Sequence, residues 1–164
     1  MNVLQNIVIG MTAEKSVTVI PEMTVSHFVP QMPQVYATPI MILHMEMASG
    51  FAIGPHLPEG FVSVGTDVQV RHLAATPVGR TVRAISRVIG IDRRSVVFEV
   101  EAWDGDRKIG EGTHRRGIVN VRKFEQRFQA ADNKFGMKSC LPRGTSSRTS
   151  HLRWLVTASV FGIS

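Results

Sequence analysis

One cysteine in 164 residues, Cys140, leaves no partner for an internal disulfide, and it lacks the neighbours of a CxxC or zinc pattern. Neither a disulfide framework nor cysteine chemistry is expected. No HExxH or comparable spacing occurs, so no metal site is expected either. Long apolar runs are missing too: none reaches the roughly 20 residues that a membrane-spanning helix needs. Residues 1–15 hold an apolar patch with no basic flank before it, which does not read as a secretory leader, and a cytoplasmic location is the expectation. Acidic residues are absent from 136–164, where Lys138, Arg143, Arg148 and Arg153 account for four of the net +6. The remainder keeps 15 basic against 13 acidic residues and shows no basic stripe interleaved with aromatics, so nucleic-acid binding is not expected.

What is present reads as one domain, large enough to bury a core without staples. Ser16 to Ile20 alternates as a short strand ended by Pro21, and the proline-containing stretch 21–37 reads as a loop. Thr38-Pro39 is a helix-start signal, with the threonine hydroxyl as the cap and proline at the first position, and Gly54-Pro55 is the stop. The helix between them is apolar on nearly every side, which predicts burial on most of its surface. Period-two patterns follow at Thr66–His72, Val82–Val88 and Val96–Ala102, then Asp104-Gly105 as a hairpin turn and a last strand from about Arg107 to Val121. Gly110, Gly112 and Gly117 in that strand predict bulges or close approach of another backbone. Lys123 to Phe128 is expected to close the domain as a short amphipathic piece. The plan is α+β, a curved antiparallel sheet wrapped around one long central helix, which is the hotdog fold. The domain is expected to cover residues 1–135, with 136–164 a basic appendage foreign to the fold.

Within the apolar helix stands Glu46. A carboxylate there must be paired, neutralised or held for chemistry. Thr38 lies eight residues earlier, about 12 Å of rise and 80° of rotation away, so the two cannot meet within one chain. If both serve one reaction, a two-fold partner must bring the start of one helix to the middle of its copy, which predicts a homodimer, with a tetramer left open. His72 lies on the Val68 and Val70 side of its strand, toward the helix. His44 is about 200° around the helix from Glu46, so that pair is no metal site. Bland readings stand beside these: Glu46 as a structural carboxylate paired with an arginine, Thr38 as a plain cap, His72 as a core histidine. Met41, Met45 and Met47 read as core filling.

The segments VYATPIMILHMEMA, GTDVQVRHLAATPVG and DRKIGEGTHRRGIVNVRKF together resemble the hotdog acyl-CoA thioesterases, most closely the fluoroacetyl-CoA thioesterase-like group, over roughly residues 16 to 128. The resemblance implies hydrolysis of an acyl-CoA thioester to a carboxylic acid and free coenzyme A. It needs no cofactor, since coenzyme A belongs to the substrate. It also implies a catalytic set of Thr38, Glu46 and His72, with Gly65 near the acyl end of the substrate. Arg115, Arg116, Arg122 and Lys123 suit coenzyme A phosphates, with Arg116 the chosen candidate, or else form a solvated face. Pro39 departs from the glycine common in that family and offers no amide, which leaves Ile40, Met41 or the Thr38 hydroxyl for an oxyanion. Only Phe28 and Tyr36 remain as aromatics before the helix, which argues against fluoroacetyl specificity. The alternatives are a non-enzymatic acyl-CoA-binding module and a hotdog hydratase or dehydratase, whose Asp/His pattern is absent.

Overall fold

The computed structural model describes residues 3–134, so the basic appendage lies outside the described residues. Strand β1 spans Thr12–Thr18, earlier than the alternation suggested. The loop that follows is not featureless: a 3-10 turn at Pro21–Met23 and a single helical turn, α1 (Val25–Phe28), interrupt it. The long helix α2 spans Thr38–Ile53, ended by Gly54 and a short 3-10 turn, Gly54–His56. Strands β2 (Phe61–His72), β3 (Thr81–Asp92), β4 (Ser95–Asp104) and β5 (Arg107–Asn120) follow, and α3 (Val121–Lys134) is longer than the amphipathic piece expected.

All five strands join one antiparallel sheet in the order β1-β3-β4-β5-β2, which leaves β1 and β2 at the edges. The β4–β5 hairpin turns on Gly105-Asp106, one residue later than the sequence signal, because Asp104 still pairs with Arg107 and Gly105 takes the positive φ (+59°) that such a turn requires. Inward residues alternate along β3 (Val82, Ala84, Ser86, Val88) and β4 (Val96, Phe98, Val100, Ala102), and they pack on Met41, Met45, Ala52 and Ile53 of α2. The glycines of β5 do what their spacing foretold. A Cβ at Gly112 would lie 2.0 Å from the backbone oxygen of Gln69, which cannot step aside, and one at Gly110 would lie 2.6 Å from Met41 Sδ, whose flexible end would have to move.

Two expectations about α2 need correction. The buried residues Met41, His44, Met45, Ala48, Ser49, Ala52 and Ile53 follow the helical repeat on one face only. The opposite face is apolar yet open, with Leu43 at 46% and Phe51 at 50% exposure, because five strands reach round one side of a helix and no further. Thr38, moreover, is not the cap. Ala37 holds the extended cap position, no side chain caps the helix, and Thr38 and Pro39 occupy its first turn. The missing proline amide costs nothing there, since first-turn amides have no intrahelical acceptor. The lead-in is instead held by backbone bonds, from Tyr36 N to Thr76 O (2.8 Å) and from Ala37 N to Met23 O (2.9 Å).

Candidate active site

Glu46 projects from α2 toward the β2–β5 pair with its side chain one-third exposed, at the border between the buried and open faces of the helix. Three features receive it. Gly65 of β2, beside the bulge between Gly65 and Asp67, leaves the space that the carboxylate fills: a Cβ there would fall 2.1 Å from Glu46 Oε1. His114 Nε2 lies 3.4 Å from the same oxygen and Arg116 Nη1 lies 3.9 Å away. Both come from the inward face of β5, opposite Val68 and Gly65 of β2.

Arg116 is therefore not on a solvated face. Its side chain is 11% exposed, and it donates from Nε to Ser63 Oγ (2.9 Å), from Nη2 to Ser63 O (2.8 Å) and from Nη1 to the Glu46 carbonyl (3.1 Å). Burial disfavours its charge, and the Glu46 carboxylate opposes that effect. His114, missed in the sequence, is 2% exposed. The signal that marks it is the alternation Gly112, His114, Arg116, Ile118 on one face of β5. Burial first, and Arg116 as well, push its imidazole below the usual histidine value, while its bond to the Asp67 backbone and the Glu46 charge push the other way.

Thr38 and His72 meet elsewhere. Thr38 Oγ1 and His72 Nδ1 are 2.8 Å apart where the start of α2 meets the end of β2, and burial lowers the His72 pKa against a backbone bond with Ala74. His72 faces the helix as its strand alternation foretold, but it meets the helix start and not Glu46. Along β2, seven residues separate it from Gly65, about 20 Å of strand. One chain thus carries two separate polar clusters along one edge strand. His44, on the far side of α2 from Glu46, hydrogen-bonds Tyr36 Oη through Nδ1 (2.5 Å) and packs inside the core, where burial and Lys15 lower its pKa.

Between the open face of α2 and β2 runs a cleft of about 440 Å³ lined by Leu43, Met47, Phe51, Leu57, Phe61 and Val62, with Glu46, Ser63 and Arg116 on its polar wall. A larger open groove, about 690 Å³, crosses the outer face of the sheet. Its charges answer one another: Lys108 with Glu101 (2.5 Å) and Glu111 (3.4 Å), Arg71 with Glu111, and it contains none of Thr38, Glu46, Gly65, His72, His114 and Arg116. Among the described residues no group of three or more His, Cys, Asp or Glu is placed to hold a metal ion, and no helix is long and apolar enough to cross a membrane.

A five-stranded antiparallel sheet curved over one long helix is the hotdog arrangement, shared with solved thioesterases. A family model for the fluoroacetyl-CoA-specific thioesterase matches residues 19–122, and the chain belongs to that family, as its motifs suggested. The fluoroacetyl-CoA thioesterase of Streptantibioticus cattleyicolor is 36% identical over 115 residues, which cover 66% of this chain and 83% of that protein. A solved structure of a fluoroacetyl-CoA thioesterase superposes with a TM-score of 0.72 at 34% identity, covering 76% of this chain and 96% of the other. A Thermus thermophilus protein described as a thioesterase superfamily member gives 0.76 at 32% identity, covering 82% of this chain and 99% of that one. The protein is accordingly a thioester hydrolase of the acyl-CoA class.

Proposed function

We propose that the protein hydrolyses acyl-CoA thioesters at sites shared by two copies of the chain, Glu46 and Arg116 coming from one protomer and the Thr38–His72 pair from the other. The observation that carries this reading is the separation of the two half-sites along β2. β2 is an edge strand, and its outer edge and the apolar face of α2 beside it are left open, with Leu43, Phe51, Val62 and Val68 exposed. A two-fold axis that pairs two β2 strands antiparallel near their middle runs them in opposite directions and sets the Gly65 end of one copy beside the His72 end of the other. It brings the two half-sites to within reach of one small substrate, twice per dimer.

In that site the thioester carbonyl lies between the start of one α2 and the Glu46 of its partner. The helix start supplies the positive end of the dipole, and Thr38 Oγ1 supplies a hydroxyl donor for the oxygen that gains charge. Glu46 attacks the carbonyl carbon or removes a proton from the attacking water, and His72, neutral near pH 7, takes up and returns a proton. Either way the C–S bond breaks, water supplies the new acyl oxygen, and the products are a carboxylic acid and coenzyme A, with no cofactor consumed. Gly65 makes room for the acyl end beside the carboxylate, and Arg116 holds the wall of the acyl site. The protein works in the cytoplasm as a homodimer, and any pairing of dimers into a tetramer would use surfaces away from β2.

The test is release of free thiol from a panel of acyl-CoA esters. Glu46→Gln is expected to leave the fold and the oligomer intact and to lower kcat by about 10²-fold or more; undiminished turnover in that variant would refute the assignment. Hydration of an enoyl-CoA without thiol release points to the hydratase reading, and binding without turnover to a non-enzymatic module.

A further inference from the structure

The imidazole of His114 takes no part in the chemistry above, although it is buried and in contact with Glu46. Its surroundings fix its tautomer. Nδ1 lies 3.0 Å from the Asp67 carbonyl, which can only accept, so Nδ1 carries the hydrogen and the neutral ring offers a lone pair at Nε2. That lone pair faces Arg116 Nη1 at 3.2 Å. The two hydrogens of Nη1 are then both used, one on His114 Nε2 and one on the Glu46 carbonyl (3.1 Å), while Nε and one hydrogen of Nη2 serve Ser63. Arg116 is parked under the Glu46 turn by acceptors on every side, and His114 supplies the one that can be lost by titration.

We propose that His114 is a positioning residue which, as a neutral acceptor, holds Arg116 against Glu46, and that protonation of His114 releases this grip and silences the carboxylate. The inference rests on the reading of Glu46 as the reacting group. With a proton on Nε2, two donors face each other 3.2 Å apart and must separate. The new N–H has Glu46 Oε1 as its nearest acceptor, 3.4 Å away. The carboxylate then sits in a charge-assisted bond with an imidazolium and is a poorer base or nucleophile, while Arg116 has lost an acceptor in a buried place. The groups that face the ring are Arg116 on its own strand, Glu46 from α2, Asp67 from β2, and Phe98 from β4, which stacks at 6.3 Å and carries no charge. Burial keeps the ring neutral near pH 7, so the working state is the gripping one and acid is the switch.

The pH dependence of kcat in wild type, His114→Leu and His114→Gln tests the inference, with KM measured in parallel. Leucine removes the acceptor and is expected to lower kcat about tenfold with KM nearly unchanged. Glutamine can place an amide oxygen near the position of Nε2, which is expected to bring kcat back to within about threefold of wild type. In the glutamine variant the acid limb of kcat moves to lower pH, since the group that titrates is gone. An acid limb that stays in place, or glutamine no better than leucine, overturns the inference. Should the leucine variant fail to melt cooperatively, the acid limb of the glutamine variant decides alone. The Glu46→Gln variant separates the two claims: if it is inactive while the limb stays put in His114→Gln, only the role of His114 falls, whereas full activity in Glu46→Gln removes the reading beneath it.

Discussion

If each site draws Glu46 from one protomer and His72 from the other, two variants that each disable one half-site must complement one another. Consider Glu46→Gln and His72→Ala made in separate genes and co-expressed. In a mixed dimer one site carries both lesions, and the other carries neither, because its glutamate comes from the His72→Ala chain and its histidine from the Glu46→Gln chain. Random pairing at equal expression makes half of the dimers mixed, with one intact site in each, so about one site in four is wild type and the rate should reach roughly a quarter of the wild-type value above the parental background. The roughly 20 Å along β2 between Gly65 and His72 in one chain is what makes this expectation sharp, since a site complete within a protomer offers nothing to exchange. The assay is thiol release from an acyl-CoA ester, with differently tagged chains to confirm the mixed dimer. A co-expressed pair no faster than the mean of its parents would refute the shared site.

Gly65→Ala places a methyl group where Glu46 Oε1 now lies, 2.1 Å from it, and the flexible carboxylate must move; kcat is expected to fall at least about tenfold while the melting temperature changes little, and an unaltered kcat contradicts the placement. Gly112→Ala meets the Gln69 backbone at 2.0 Å, which cannot step aside, so a loss of about 3 kcal/mol and a Tm lower by about 10 °C are expected by thermal melting. His44 and His114 are both held below the ordinary histidine value of 6.5, mainly by burial. The unfolded chain therefore binds protons that the folded one resists, and Tm should drop as pH falls below about 6.5. Glu101 and Glu111, held below 4.5 by their bonds to Lys108 and to Arg71, add a second loss only below that value, and a Tm flat from pH 8 to pH 5 counts against the histidine argument.

Local chemistry and periodicity were enough for the element types and their order. Thr38-Pro39 and Gly54-Pro55 bracket the observed helix, and the alternations in β3 and β4 identify their inward residues. They also made Glu46 conspicuous, since a charge in an apolar helix is costly anywhere in the chain, and the family motifs tied it to Thr38 and His72. What they could not supply was the distribution of neighbours. Thr38 reads as a cap from its place before Pro39, but its hydroxyl turns to His72, because the β2 end that lies beside it is 34 residues away in sequence. The helix seemed wrapped all round because hydrophobicity records what avoids water and not what covers it, and the open face carrying Leu43 and Phe51 is visible only once the sheet is seen to end at β2.

His114 shows the division most plainly. In sequence it is one polar residue among several in a glycine-broken strand, and its alternation with Gly112, Arg116 and Ile118 gives it a face but no partner. Its importance comes from the antiparallel register that sets it opposite Val68, within reach of the Asp67 carbonyl, Arg116 and Glu46 together. Element types, apolar faces and the presence of a carboxylate in the long helix are legible from the chain alone, since these follow from residue spacing. Which groups that carboxylate meets and which it is kept from emerge only from the folded arrangement, because contacts between residues distant in sequence depend on strand register and on where the sheet stops.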